Sequence, residues 1–266
     1  METLSWARAH GSKITMVHSV FFDSEEFSIS PGQLEKRIKE GKAACEQAME
    51  TYPSEFGIEM DYLVREGEPH EVVPAVAAEI GADLIALGTY GRKGLKRMVM
   101  GSVTAGVIIN SHCDVMVVRK QCEDCTGEYH RILVPFDDSR LSHLAVERVA
   151  EVADPQDASL TILYVIPRYE EMIEFFNTSS IRGRVNEEAH KIVLEGERIA
   201  DERGMKAHTM VEEGRVADKV VETAKGLGSD LIILGSHGRR GIDKSILGST
   251  TERVIAHSPI PVLVVK

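Results

Sequence analysis

Residues 235–250 read GSHGRRGIDKSILGST, and their first glycine ends the short apolar run DLIILG (230–235). Gly235 and Gly238 are separated by two residues, and nine more residues, three of them basic, lead to a Gly-Ser pair. Residues 88–103, GTYGRKGLKRMVMGSV, repeat this spacing after a second apolar run, DLIALG. The repetition of the glycine spacing and of the basic residues indicates a unit of structure and chemistry that occurs twice in the chain.

The similarity between the two halves covers the last part of each. Residues 81–119 align with residues 228–266 without a gap, and 18 of the 39 aligned positions are identical. The offset between the copies is 147 residues, which indicates a domain duplication because solenoid repeats recur every 20 to 50 residues or so. A chain of 266 residues is long enough for about two domains. We predict domains at residues 1–120 and 128–266.

Strands and helices alternate along the second half. Five short runs rich in apolar residues are separated by segments whose apolar residues recur at helical spacing. The runs are RILVPFD (131–137), SLTILYVI (159–166), KAHTMVEEG (206–214), DLIILG (230–235) and PVLVVK (261–266). Strands connected through helices form parallel sheets with helices on both faces. We therefore predict one doubly wound α/β sheet per half, with ligands outside the carboxyl ends of the strands.

The composition excludes several classes of protein. With 43% hydrophobic and 27% charged residues, the chain is typical of a globular protein. Its formal net charge of -11 opposes general affinity for nucleic acid. No run approaches the ~20 apolar residues of a membrane span, and the N-terminus lacks a signal-peptide core. We expect a cytoplasmic protein that binds neither membrane nor nucleic acid, with its four cysteines reduced.

The glycine segments have the features of a phosphate site. Basic residues cluster between the glycines: Arg92, Lys93, Lys96 and Arg97 in the first copy, and Arg239, Arg240 and Lys244 in the second. A glycine lets a ligand approach the backbone, and the helix that follows Gly248 offers free N–H groups to an anion. The alternative is that the glycines are turn and cap residues and Ser249 is an N-cap. Neither G-x-x-x-x-G-K-[ST] nor G-x-G-x-x-G occurs.

The pattern Gly-x2-Gly-x9-Gly-Ser after an apolar strand, together with RILVPFDDS at residues 131–139, resembles the ATP-binding subclass of the universal stress protein family. The resemblance covers nearly the whole chain as a tandem pair. It implies two flavodoxin-like, Rossmann-like domains, each built on a five-stranded parallel sheet of strand order 3-2-1-4-5. It also implies ATP or AMP as the ligand, with or without Mg²⁺.

The resemblance also implies which residues form the site. In the second domain these are Pro135, Phe136, Asp137, Val165, Leu234, Gly235, His237, Gly238, Gly248, Ser249, Thr250 and Thr251. The matching positions of the first domain are Ser19, Leu87, Gly88, Tyr90, Gly91, Gly101, Ser102, Val103 and Thr104. Asp137 suits the ribose hydroxyls, because a carboxylate accepts two hydrogen bonds and repels phosphate. Its alternative role is a helix N-cap, and the alternative for His237 is a solvent-facing turn residue.

No catalytic set is evident in the sequence. The histidines are scattered, and no Ser or Cys lies in a G-x-S-x-G motif. The first hypothesis is therefore a nucleotide-binding regulatory switch of the stress response. The second is an ATPase or phosphotransferase with slow Mg²⁺-dependent turnover, because a basic phosphate cradle stabilises developing charge. The third is an interaction scaffold that has lost nucleotide. The sequence does not identify a protein partner, and it leaves open whether the protein forms a homodimer.

The first domain lacks one element of the second. Aligning KITMVHSV (13–20) with SLTILYVI leaves no counterpart of RILVPFDDS, and in the implied strand order this missing strand is the central one. We expect a gap or a closed-up sheet between strands two and four of that domain, marginal stability, and weaker nucleotide binding without the Asp. We also expect the native chain to begin further upstream, with that strand.

Two further expectations concern the junction of the halves. The last strands, residues 113–119 and 259–266, would be exposed sheet edges if left alone. We therefore expect the halves to pair through them as an intramolecular pseudo-dimer. The linker contains Cys122-x-x-Cys125, which is either a zinc or redox site or part of a solvated connector.

Overall fold

A computed structural model describes residues 1–21, 31–52, 57–89, 100–118, 126–154, 156–167, 179–238 and 246–266. Within these ranges the chain forms nine strands and eight helices. The first half contains α1 (Glu2–His10), β1 (Ile14–Val20), α2 (Pro31–Thr51), β2 (Met60–Glu66), α3 (Pro69–Ile80), β3 (Leu84–Gly88), α4 (Ser102–Asn110) and β4 (Asp114–Val118). The second half contains β5 (Arg131–Pro135), α5 (Arg140–Val152), β6 (Ser159–Pro167), α6 (Ser179–Glu202), β7 (Ala207–Gly214), α7 (Val216–Leu227), β8 (Leu231–Gly235), α8 (Ser249–His257) and β9 (Val262–Val265).

The second half is a doubly wound sheet. Its strands lie in the order β9-β8-β5-β6-β7, and every neighbouring pair among them is parallel. When the strands are numbered within this half, the order is 3-2-1-4-5. The first strand of the half, β5, is therefore central: Ile132 pairs with Leu160 of β6 on one side and with Leu231 of β8 on the other.

Alternating side chains of β5 enter two different cores. Ile132 and Val134 belong to the cluster formed with α5 and α6, whereas Leu133 belongs to the cluster formed with α7 and α8. The exposure of these three side chains is 1%, 0% and 0%. Successive residues of a strand point to opposite faces, so a strand that is apolar at every position is buried on both faces.

The first half contributes to two sheets. Strands β1 and β2 form a parallel pair of their own. Strands β3 and β4 are parallel to each other, and β4 pairs antiparallel with β9, with Met116 opposite Leu263. The result is a seven-stranded sheet of order β3-β4-β9-β8-β5-β6-β7. The last strands of the two halves thus meet, as their exposed edges predicted.

The strands of the first half lie in two separate sheets. Among the described residues no strand lies between β1 and β3, whereas β5 occupies the equivalent place between β6 and β8. The effect on packing is visible in the neighbouring strand, since β1 is only half-buried over its first six residues. The corresponding residues of β6, beginning at Leu160, are mostly buried.

Helix α1 packs against the start of β1 and the junction between the halves. Leu4 and Ala7 form a small cluster with Ile58 and neighbouring residues of β1 and β2. On its other side, the ring centroid of Trp6 lies 5.6 Å from that of Tyr129. The Tyr129 hydroxyl donates to Glu2 Oε1, and burial raises the pKa of Tyr129.

A buried ionic contact also joins the two halves. Asp114, at the start of β4, is 8% exposed, and its Oδ2 lies 2.7 Å from Arg148 Nε on α5. Its Oδ1 accepts the backbone N–H of Lys266 at 3.2 Å. The Lys266 ammonium in turn donates to the carbonyl oxygens of Ile108 and Ile109 at the end of α4. The Asp114 carboxylate and the Lys266 ammonium therefore have these partners only when β4 and β9 are together.

No helix within the described ranges is both long and apolar enough to cross a membrane.

The split sheet predicts unequal stability at equivalent positions of the two halves. Leu160 of β6 is 0% exposed and its counterpart Ile14 of β1 is half-buried. We expect Leu160→Ala to lower the free energy of unfolding by about 3 kcal/mol and Ile14→Ala by about 1 kcal/mol. Urea denaturation of both variants measures the difference. Equal losses would show that β1 is packed as tightly as β6.

The contact at Asp114 predicts a pH dependence. Burial raises the pKa of this carboxyl, although Arg148 opposes the shift. The folded protein therefore holds the proton more readily than the unfolded chain, and this contribution to stability is present at acid pH and lost as the pH rises through the folded-state pKa. The Asp114→Asn variant has no carboxyl at this position, so it does not lose this contribution to stability as the pH rises. Its stability relative to the wild type should increase as the pH rises above the ordinary pKa of an Asp carboxyl, about 4, measured by denaturation over a series of pH values.

Arg148→Met is the control for this experiment. It removes the cation that opposes the rise in the pKa of Asp114, so the loss of stability with rising pH should become larger than in the wild type. A difference between Asp114→Asn and the wild type that does not change with pH would contradict the prediction.

Candidate functional site

The ends of β5 and β8 bring an acid and a glycine into contact. Asp137 follows β5 and Gly238 follows β8. A β-carbon at Gly238 would collide with the Asp137 carboxylate, so that carboxylate lies directly against the glycine backbone. Ser139, before α5, and Ser142, in the first turn of α5, hold Asp137. The Asp137 Oδ1 accepts the Ser139 N–H at 3.2 Å, and the Asp137 N–H donates to Ser142 Oγ at 3.4 Å.

The N-cap of α5 is Ser139 and not Asp137. The Ser139 hydroxyl oxygen accepts the N–H of Ser142 at 3.3 Å, which is the usual capping bond. The alternative role of Asp137 as the helix cap is therefore not observed. One carboxylate oxygen of Asp137 accepts a backbone N–H, and the side chain is half-exposed.

The start of α8 lies next to this contact. Gly248 is the N-cap of α8 and makes no side-chain capping bond. Its N–H donates to the carbonyl oxygen of Ser236 at 2.9 Å, and a β-carbon there would lie 3.1 Å from His237 Cα. Ser249, which the sequence allowed as an N-cap, is the first residue of the helix instead. Gly248, as the N-cap, offers no side chain to the first-turn N–H groups of α8, and a helix N-terminus favours an anion.

The hydroxyls of Thr251 and Thr104 fix each last helix to a strand end. Thr251 Oγ1 donates to the carbonyl oxygen of Gly235 at 2.8 Å, and Thr104 Oγ1 donates to that of Gly88 at 3.1 Å. Both threonines are 3% exposed. Their hydroxyl protons are already used in these contacts within the fold. The more exposed hydroxyls at the start of α8 are those of Ser249 and Thr250.

At Gly235 the absence of a β-carbon accommodates helix α5. A β-carbon there would lie 2.6 Å from Leu141 Cβ of α5, so a packed helix already occupies the space above this glycine. Among the described residues, the equivalent Gly88 of the first half has only the Val118 carbonyl oxygen within 4 Å, at 3.7 Å. The same glycine in the two copies is therefore under different constraints.

Three of the predicted residues are core residues. Phe136, Val165 and Leu234 are 2%, 5% and 4% exposed, and each belongs to one of the two large hydrophobic clusters. Pro135 at the end of β5 is half-buried. His237 is also half-buried, with Nδ1 3.2 Å from Ser236 Oγ, which is not the environment of a freely solvated turn residue.

The first half repeats the helix start without the acid. Gly101 is the uncapped N-cap of α4, and a β-carbon at Gly101 would lie 3.2 Å from the Thr89 carbonyl oxygen. Ser102 and Val103 begin α4. Ser19 donates its hydroxyl to the Gly67 carbonyl oxygen at 2.5 Å. Leu87 lies in β3 and packs against the core. No counterpart of Asp137 occurs beside these groups in the described part of the chain.

Several predicted residues lie outside the described ranges. These are Tyr90, Gly91, Arg92, Lys93, Lys96, Arg97, Arg239, Arg240, Lys244, Cys122 and Cys125. Within the described ranges no group of three or more His, Cys, Asp or Glu side chains is arranged to hold a metal ion. Cys45 and Cys113 are free thiols, and burial raises the pKa of both.

The sequence reasoning missed the residues that hold Asp137. Ser139 and Ser142 could have been found, since a serine before an apolar-periodic segment is a common helix start. Leu141 gave no signal, because its contact with Gly235 joins segments that are distant in the sequence. His143 also escaped notice, although its Nε2 lies 2.8 Å from Asp138 Oδ1.

Fold and site together define a tandem α/β protein in which each half repeats a glycine-flanked helix start at the carboxyl end of its sheet. The sequence profile of the universal stress protein family matches residues 3–119 and 128–266, and the chain belongs to that family.

Known relatives match one half or the whole chain. Universal stress protein MJ0531 of Methanocaldococcus jannaschii is 33% identical over 144 residues, covering 52% of this chain and 82% of that protein. A universal stress protein of Mycolicibacterium smegmatis is 26% identical over 275 residues, covering 98% and 89%. The crystal structure of a universal stress protein from Archaeoglobus fulgidus has a TM-score of 0.70 at 21% identity, covering 100% of this chain and 91% of that one. The last match supports the tandem fold.

The different surroundings of Gly235 and Gly88 predict different effects of the same substitution. Gly235→Ala places a β-carbon 2.6 Å from Leu141 Cβ and should lower the free energy of unfolding by about 1 to 3 kcal/mol. Gly88→Ala meets no atom of the described residues closer than 3.7 Å and should change the free energy of unfolding by less than about 0.5 kcal/mol. Thermal and urea denaturation measure both. A silent Gly235→Ala would mean that Leu141 does not pack as described.

Proposed function

We propose that the second domain binds an adenine nucleotide, ATP or AMP, and acts as a nucleotide-dependent regulatory protein of the stress response. The observation that carries the proposal is the contact between the Asp137 carboxylate and the Gly238 backbone, beside the uncapped start of α8. Membership of the universal stress protein family supports a role in stress.

The two ends of the site suit opposite ends of a nucleotide. A half-exposed carboxylate accepts hydrogen bonds from two neighbouring ribose hydroxyls and repels phosphate. The N-terminus of α8 carries partial positive charge and presents its first-turn N–H groups to an anion. His237 lies between the two, with its Cα close to Gly248. The polarity of the site thus gives one orientation for the ligand, with the ribose toward Asp137 and the phosphates toward Ser249 and Thr250.

The first half supports only part of this arrangement. It repeats the helix start at Gly101 and the hydroxyl contact of Thr104, but the described residues place no carboxylate beside them. A nucleotide bound there would lose the hydrogen bonds to the ribose. We therefore assign the nucleotide to the second domain and expect the first to bind more weakly.

Binding and catalysis are separable for this site. Nucleotide binding does not require turnover. Release of phosphate from ATP in the presence of Mg²⁺, measured on the protein used for binding, distinguishes a switch from a slow ATPase. Mass spectrometry of the nucleotide released from freshly purified protein distinguishes ATP from AMP.

Asp137→Asn provides the direct test of the proposal. It keeps the size of the side chain but replaces a charged acceptor, so ATP affinity measured by calorimetry should fall about 10- to 100-fold. The matched control is Asp201→Asn, an exposed acid near the end of α6, which should bind like the wild type. Undiminished affinity of Asp137→Asn would place the nucleotide elsewhere.

A further inference from the structure

The segment that presents Asp137 contains a backbone conformation that favours glycine. Asp138 has φ of 61° and is the only residue other than glycine with positive φ among the described residues. A left-handed conformation is unfavourable for a residue with a β-carbon, although Asp and Asn tolerate it better than most. The direction in which Asp137 leaves β5 therefore depends on contacts that keep Asp138 in this conformation.

His143 supplies such a contact from the first turn of α5. Its Nε2 lies 2.8 Å from Asp138 Oδ1, and because an ionised carboxylate only accepts hydrogen bonds, the imidazole is the donor. The backbone N–H of His143 also donates to the Ser139 carbonyl oxygen at 3.0 Å. The imidazole is thus attached to a helix turn whose cap is already fixed by Ser139.

The same imidazole contacts the residue on the other side of Asp137. The rings of His143 and Phe136 are stacked, with centroids 5.4 Å apart and an angle of 22° between their planes. Phe136 is buried at 2% exposure, and its N–H donates to the Leu163 carbonyl oxygen at 2.8 Å. His143 therefore connects a rigid core residue to Asp138, and Asp137 lies between the two.

We infer that His143 is a positioning residue for Asp137, acting through its hydrogen bond to Asp138 and its stacking on Phe136. This role rests on the proposed nucleotide site. The hydrogen-bonded side chains of His143 and Asp138 are 36% and 40% exposed, so the bond is screened by solvent and its effect is modest. The hydrogen bond sets the direction of the Asp137 carboxylate. It therefore also sets the preference for a nucleotide whose ribose carries its hydroxyls.

The test compares two nucleotides on the full-length chain. His143→Ala should weaken ATP binding about three- to fivefold and leave the affinity for 2′,3′-dideoxy-ATP unchanged, because only the ribose hydroxyls contact Asp137. Asp138→Gly removes the energetic cost of the left-handed conformation, because glycine adopts it without a stabilising contact from His143. Adding it to His143→Ala should restore the wild-type preference for ATP. The control His257→Ala, near the far end of α8, should change neither affinity.

Amide hydrogen exchange provides a readout that does not depend on nucleotide. The Ser139 N–H donates to Asp137 Oδ1, so loss of the positioning contact should accelerate exchange of this amide in His143→Ala, and the added Asp138→Gly should reverse the change. If the wild type binds neither nucleotide, the proposed function fails and this measurement decides the role of His143. Unchanged exchange, equal weakening of both nucleotides, or absence of rescue by Asp138→Gly would overturn the inference.

Discussion

The parallel pairing of β5 with β6 and β8 is the constraint on which the second domain depends. A strand buried on both faces cannot be shifted by one residue without turning Leu133 toward the wrong core. The register therefore fixes where β5 ends, and its last residue, Pro135, lies at nearly the level where β8 ends at Gly235. The contact between Asp137 and Gly238 follows from that coincidence, because both residues are within a few positions of their strand ends.

The first half shows what happens without that strand. Its β1 and β2 pair only with each other, and its β3 and β4 are joined to the second half through β9. The first half thus depends on the second for part of its sheet, while it covers the edge of β9 that would otherwise be open. Because Asp114 and Lys266 are satisfied across the same boundary, the two halves form one interdependent unit.

Much of this architecture could be predicted from the sequence, because it follows from local patterns. The alternation of strands and helices, the duplication and the meeting of the last strands all arise from periodicity and from exposed edges. The positions of Asp137 and Gly238 at strand ends follow in the same way. The contact of Leu141 with Gly235 could not be predicted, since it depends on how α5 packs across the end of β8, and no short sequence pattern encodes that geometry.

The structure gives the glycines of the second copy different roles from the single role that their spacing in the sequence indicates. In the sequence, Gly235, Gly238 and Gly248 form one motif with one purpose. In the structure, each lacks a β-carbon for a different reason: the first accommodates Leu141, the second the Asp137 carboxylate, and the third the backbone at His237. The first constraint concerns packing, and the second arranges the polar group that a ligand would meet. A glycine motif can therefore be retained in both copies of a duplicated domain even where only one copy places an acid beside it, because part of the motif is required by the fold.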